Sequence, residues 1–340
     1  MTGTLAFDIG GTRTEVVFSA PSETDGFLRV YDETTHSLFG SAAESWVAIP
    51  AGEPAKCWKS VESVLERCAS LGLGRDEGII GIGGGVVCDV ASFAASLYMR
   101  GCRLALVPTT LLAMVDASLG GKTGIDFMGF KNLVGTFYPA SRISIDVSFL
   151  ESLPQREYAS GLAEVIKTAI IGDGELFSLL ECSPEEILAR NPRTMEEVIR
   201  RCLAVKGAIV QEDPREKGRR AVLNLGHTFG HALESATRFS GWTHGEAVAW
   251  GIGRSLAAGI HLGLTRTSFA ERVLALLRRY GFRLEAGVGY DELAPAFQRD
   301  KKKNEGRVRL VIARGMCDIV LQAVSASELA AVVHADQGRI

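Results

Sequence analysis

Residues 78–99 read GIIGIGGGVVCDVASFAASLYM. GIIGIGGGV (78–86) is a short apolar run that reads as a strand ending in a glycine loop. VCDVASFAASLYM (87–99) reads as a helix rich in small residues. Glycines let a backbone come close to a pyrophosphate, and a helix N-terminus favours its negative charge. GIGGGVVCD (81–89) is not a complete G-x-G-x-x-G, because Val86 holds the sixth position. By itself the stretch fits a plain tight turn about as well. RLALVPTT (103–110) and RISIDVSFL (142–150) are further strand-like runs. Strand, glycine turn, helix and strand in this order predict a parallel α/β sheet.

The texture changes after Leu153-Pro154. ASGLAEVIKTAII (159–171), MEEVIRRCLAVKGAIVQ (195–211), GHTFGHALESA (226–236), GEAVAWGIGRSLAAGIHLG (245–263) and SFAERVLALLRRYG (268–281) carry helical periodicity. One strand-like run, RVRLVIARG (307–315), interrupts them. The predicted fold class is therefore an N-terminal α/β nucleotide-binding domain, residues 1–152, followed by a mainly α-helical domain, residues 153–340.

Composition narrows the function. The 340 residues are 46% hydrophobic and 23% charged, as in ordinary globular proteins. A net charge of −3 gives no electrostatic case for nucleic acid or an anionic membrane. No apolar run approaches the roughly 20 residues that span a bilayer, and MTGTLAFDIGGT lacks the pattern of a signal peptide. The seven cysteines are scattered, odd in number and without a Cys-x-x-Cys. They read as thiols of a reducing, cytoplasmic compartment.

Several motifs invite a chemical reading. LAFDIGGTRTEVVF (5–18) resembles the phosphate-binding turn of actin-like sugar kinases. The further loops such a kinase needs are missing, so Gly10-Gly11 read as a hairpin turn. DASLGGKT (116–123) is nearly a P-loop, but Asp116 stands where glycine is required and would face the phosphates. The lysine and glycines still point to an anion near Lys122. AEVIK (163–167) puts Glu164 and Lys167 on one helical face among apolar and small neighbours, so both charges need partners. EDPREKGRR (212–220) reads mainly as a solvated turn, with Arg220 and Asn224 on a common face if a helix begins that early.

Three of the six histidines, His227, His231 and His244, fall within LNLGHTFGHALESATRFSGWTHGE (223–246). The i, i+4 pair has the spacing with which one helix clamps a metal, but Thr228 stands where a zincin has glutamate. Spacing leaves metal binding open. If a metal binds, His227 and His231 are the natural pair and His244 the third ligand.

Taken together, GGGVVCD, YMRG (98–101), VPTTLLAMVDASLGGKTGID (107–126), Lys131-Asn132, SLPQREYASGLAEVIK (152–167), NLGHTFGHALE (224–234), HGEAVAWG (244–251) and DKK (300–302) resemble the 3-dehydroquinate synthase family of sugar-phosphate cyclases. The likeness is colinear from about Ile49 to Gly306. It implies a small-molecule sugar-acid phosphate substrate, 3-deoxy-arabino-heptulosonate 7-phosphate, converted to 3-dehydroquinate and phosphate. The implied chemistry is transient oxidation by a tightly held NAD, β-elimination, reduction and intramolecular aldol closure. It also implies a divalent metal, zinc or cobalt, and a homodimer is expected.

The resemblance reassigns the histidines. It implies metal ligands Glu164, His227 and His244, with His231 exchanging protons at the substrate. Asp116, Lys122, Asn132, Lys167, Lys206, Arg220 and Asn224 are implied around the substrate. Arg100, Lys131 and Lys301 are further anion contacts, Arg100 from a neighbouring subunit. For NAD the matching residues are Glu53, Lys56, Gly84, Gly85, Asp89, Thr109, Thr110, Ser152, Leu153 and Glu157. Asp116, Lys122 and Lys131 also border the cofactor, and Asp32 is a weaker candidate for the adenosine ribose. Cys88 and Phe130 stand where the family usually has glycine, and the segment His36–Trp46 is short. These departures bear on NAD affinity and the 127–131 loop. Rival readings are another cyclase, aminodehydroquinate synthase above all, or a metal-dependent polyol dehydrogenase that releases its NADH.

Overall fold

The structure, a computed structural model, describes residues 4–19, 27–40, 45–74, 76–303 and 307–334, without the side chains of 298–303 and 334. It divides into two compact units. The first comprises Met1–Pro154 and Met195–Glu216, the second Gln155–Thr194 and Lys217–Ile340. A single cut after residue 152 leaves out the return of Met195–Glu216 to the first unit.

In the first unit, β1 (Leu5–Ile9), β2 (Thr12–Phe18), β3 (Phe27–Asp32), β4 (Trp46–Ile49), β5 (Gly78–Gly83), β6 (Arg103–Pro108) and β9 (Arg142–Ile145) form one sheet. Its order is β1-β2-β9-β6-β5-β3-β4. Only the β1–β2 pair is antiparallel. Ile9 faces Thr12 in that pair, so Gly10-Gly11 make the two-residue hairpin turn. β5 is buried along its whole length, as a central parallel strand must be, which accounts for its unbroken apolar run. Tyr31, Ile80, Ile82 and Val107 form a buried cluster on this sheet. A separate hairpin joins β7 (Lys122–Phe127) to β8 (Phe130–Phe137). The α-helices of the unit's Met1–Pro154 part are α1 (Glu33–Phe39), α2 (Trp58–Ser70) and α3 (Gly85–Leu97). α3 starts two residues earlier than the sequence predicts. The run predicted as a strand to residue 150 ends at Ile145, where Asp146 instead caps a 3-10 turn through Ser148.

The second unit contains α4 (Gln155–Gly172), α5 (Gly174–Cys182) and α6 (Pro184–Leu188). α7 (Pro192–Glu212) leads back into the first unit. α8 (His227–Ala236), α9 (His244–His261), α10 (Thr267–Arg279), α11 (Tyr290–Lys303), β10 (Val308–Gly315), β11 (Asp318–Val324) and α12 (Ala326–His334) follow. Phe229, Trp250, Phe297, Leu310 and Ile312 lie in its core. The predicted single strand is in fact a β10–β11 hairpin. The fold class read from the sequence, an α/β unit and a mainly helical unit, is the one observed. No described helix is long and apolar enough to cross a membrane.

Candidate functional site

α4 is buried from Ser160 to Ile171, and the two charged residues of that stretch, Glu164 and Lys167, are buried with it. Glu164 is fully inaccessible and Lys167 nearly so, and they contact each other one turn apart. Such a pair persists only when desolvation is offset by good partners. On α8, His227, His231 and Glu234 stand at i, i+4 and i+7 and so share one stripe. His244 is the first residue of α9. Thr243 and Glu246 fix that helix start through a reciprocal capping box.

Close backbone approach brings the three helices together. Gly245 donates its N–H to Ser160 Oγ at 3.0 Å, and a Cβ there would overlap the Ser160 carbonyl. Gly251 similarly lies against the carbonyl of Gly226, just before α8. The glycines of GHTFGH and HGEAVAWG thus set how near the histidines come. Gly245→Ala is expected to lower the unfolding free energy in urea by about 1–3 kcal/mol, as overpacked sites do.

The result is a compact donor set. His244 Nε2 lies 3.5 Å from Glu164 Oε1, and His227 Nε2 lies 3.8 Å from it. Donor atoms of Glu164, His227 and His244 lie within 4.8 Å of one another. Two ligand atoms each about 2.1 Å from a tetrahedral zinc are about 3.4 Å apart, so this set fits a divalent ion. The His227 Nδ1 is 3.3 Å from the Leu225 carbonyl oxygen. In the tautomer protonated at Nδ1, that contact is a hydrogen bond and the Nε2 lone pair faces Glu164. Burial, followed by the charge of Lys167, holds the His227 pKa down at about 3. Burial also opposes charge on His244, but hydrogen bonds to Glu164 and Glu234 outweigh it and raise the pKa to about 9.

His231 falls outside this trio. It is exposed, and its ring is 6.0 Å from that of His244 and 5.3 Å from that of His227, centroid to centroid, the same separation as His227 to His244. It joins Glu234 and His244 in a second group of neighbouring donors. The natural pair that helical spacing picks out is therefore not the most enclosed one. Glu234 is a member of the cluster that the sequence reading missed, although its place three residues after His231 was a usable signal.

Arg220 is buried, but it and Asn224 lie in a 3-10 turn, Arg219–Asn224. At three residues per turn, i and i+4 do not stack, so the common helical face is not formed.

The first unit gathers its own charged set. Lys56 Nζ lies 2.5 Å from Asp89, the fifth residue of α3. Gly84 is the N-cap of that helix and Gly85 its first residue. Among the described residues no side chain caps this N-terminus, and a helix start of that kind can accept an anion. Thr109 donates its N–H to Gly83 at 3.0 Å, and Thr110 Oγ1 accepts from Ala113. Lys206 contacts Asp116, which lies in a π-helical turn, Ala113–Ala117. Lys122 opens strand β7, where a P-loop lysine would open a helix. It contacts Glu216, which the sequence reading took for part of a solvated turn. Lys131 pairs with Glu53 at 3.8 Å.

Three polar residues of this unit adopt positive φ. They are Arg100 at 66°, Asn132 at 53° and Glu216 at 53°. Asn132 N donates to Asp126 Oδ1 at 2.8 Å. Asp32 is the N-cap of α1, accepting from Thr35 N at 2.7 Å. Ser152 donates to the Phe149 carbonyl, Leu153 is buried, and Glu157 is exposed in the first turn of α4. Lys301 lies in α11, with its side chain outside the described residues.

The α/β unit has a glycine helix start of the kind that suits a phosphate, and the helical unit a two-histidine, one-carboxylate cluster of the kind that suits a divalent ion. Residues 46–160 match the 3-dehydroquinate synthase N-terminal family and residues 161–303 the C-terminal family. The chain belongs to the 3-dehydroquinate synthase family. It is 44% identical over 284 residues to a 3-dehydroquinate synthase of Acidithiobacillus ferrooxidans, covering 81% of this chain and 76% of that protein. The enzyme of the same name from Symbiobacterium thermophilum is 41% identical over 303 residues, covering 85% and 84%. Among solved structures, a 2-epi-5-epi-valiolone synthase from Streptomyces hygroscopicus subsp. jinggangensis, with NAD+ and Zn2+ bound, aligns with a TM-score of 0.86. It is 29% identical, and the alignment covers 95% of this chain and 96% of that one.

Proposed function

We propose that this chain catalyses the 3-dehydroquinate synthase reaction, converting 3-deoxy-arabino-heptulosonate 7-phosphate to 3-dehydroquinate and phosphate as a phosphate-eliminating lyase. The observation that carries the reading is the convergence of Glu164, His227 and His244 from three helices. Two imidazoles and one carboxylate form a catalytic zinc set that leaves coordination positions open. When bound, NAD takes up and returns a hydride, and the divalent ion, zinc or cobalt, polarises the hydroxyl being oxidised.

The chain's own residues do the rest. Glu164, His227 and His244 hold the ion. His231 is assigned to proton exchange with substrate, as the histidine outside that trio. Lys167, Arg220 and Asn224 of the second unit are assigned to substrate. So are Asp116, Lys122, Lys131, Asn132 and Lys206 of the first, and Lys301. An acid sugar phosphate carries about three negative charges, which explains so many cationic residues in a protein of net charge −3. Glu53, Lys56, Gly84, Gly85, Asp89, Thr109, Thr110, Ser152, Leu153 and Glu157 are assigned to NAD, with Asp32 at the adenosine ribose. The acting form is a cytoplasmic homodimer in which Arg100, exposed at positive φ, serves a neighbouring subunit.

The test is to supply the heptulosonate phosphate with NAD and a divalent ion. One phosphate released per dehydroquinate, with no net NADH, is the expected result. No phosphate, or NADH accumulating with turnover, would overturn the reading.

A further inference from the structure

We infer that Glu234 is a positioning residue for the metal centre, locking His244 so that its Nε2 faces the ion; the inference rests on the metal reading above. Two carboxylates bracket the His244 ring. Glu164 Oε1 is 3.5 Å from Nε2, and Glu234 Oε1 is 3.6 Å from Nδ1. The Glu234 side chain is 5% exposed and that of His244 is 32%. Without an anchor, so accessible a ring could rotate or take the other tautomer. A buried carboxylate at Nδ1 fixes both, because it accepts the Nδ1–H and leaves the Nε2 lone pair toward Glu164. Glu234 also sits on the stripe of α8 that bears His227, so one rigid helix sets a ligand and another ligand's support. The Leu225 carbonyl does the same for His227 from the chain just before α8. Each histidine ligand thus has its second nitrogen engaged by protein.

The test uses the full-length protein, stripped of metal and titrated with Co2+ alone against a competing chelator, with visible absorption as the readout. Wild type should bind one Co2+ per chain. Glu234→Ala should bind it about 100-fold more weakly with an altered visible spectrum. Glu234→Gln, which keeps an oxygen acceptor but no charge, should lose about tenfold; both losses lie within the usual range for such supporting groups. Wild-type affinity and spectrum in both variants would overturn the inference. So would two Co2+ per wild-type chain with one lost in Glu234→Ala, since Glu234 would then be a ligand. If Glu234→Ala does not fold, wild-type affinity in Glu234→Gln is enough to overturn it. Wild type that binds no Co2+ would sink the metal reading itself, a different outcome from unchanged variants.

Discussion

Glu164→Gln, compared with wild type in metal-free form, is expected to lose about 3–5 kcal/mol of unfolding free energy in urea. Lys167 is buried against Glu164, and the substitution removes the carboxylate while leaving the ammonium inside the protein. An ion pair of this kind adds little net stability when intact, yet breaking it from one side is costly. The double variant Glu164→Gln/Lys167→Met should therefore recover most of the loss. Neither variant should retain a divalent ion, because each lacks the carboxylate ligand. Separating the two readouts separates the residue's two tasks. A single variant as stable as wild type would mean that the pair is not held as a buried charge pair.

Ion uptake should release about one proton at pH 7, and affinity should climb up to about tenfold per pH unit until pH 9. His244, with its pKa raised to about 9, is protonated at neutral pH and must give up that proton to ligate. His227, with its pKa near 3, is already neutral and releases none. The sign also reaches stability. In the metal-free protein the stabilisation from charged His244 is fully present below its ordinary value of 6.5 and fades as pH rises through about 9. Calorimetric titrations of the ion in buffers of different ionisation enthalpy measure the proton count. Release of two protons, or flat affinity from pH 7 to 9, would contradict the assignment.

The legible parts of the fold were those written in local pattern. The β5–α3 stretch showed itself through a buried apolar run, a glycine turn and small helical residues. β11 was missed because its turn passes through Met316-Cys317, with Cys317 at φ 58°, and carries no Asn-Gly or Asp-Gly signal. The return of Met195–Glu216 to the first unit is a tertiary choice that helical periodicity cannot express. The centre was half legible. Spacing located the histidines, but Glu164 comes from α4, far upstream, and only the family resemblance tied it to them. Glu216 and Glu234 were passed over because a charged turn and a helical glutamate are usually solvated, and it is their contacts with Lys122 and His244 that set them apart.

The central claim divides two histidines that sequence spacing would pair. Metal analysis of purified His231→Ala and His244→Ala, after equal exposure to Zn2+ and gel filtration, tests it most directly. His231→Ala should keep close to one ion per chain and His244→Ala should keep none. Equal loss in both variants would contradict the account, because it would make His231 a ligand and leave the Glu164–His227–His244 trio incomplete.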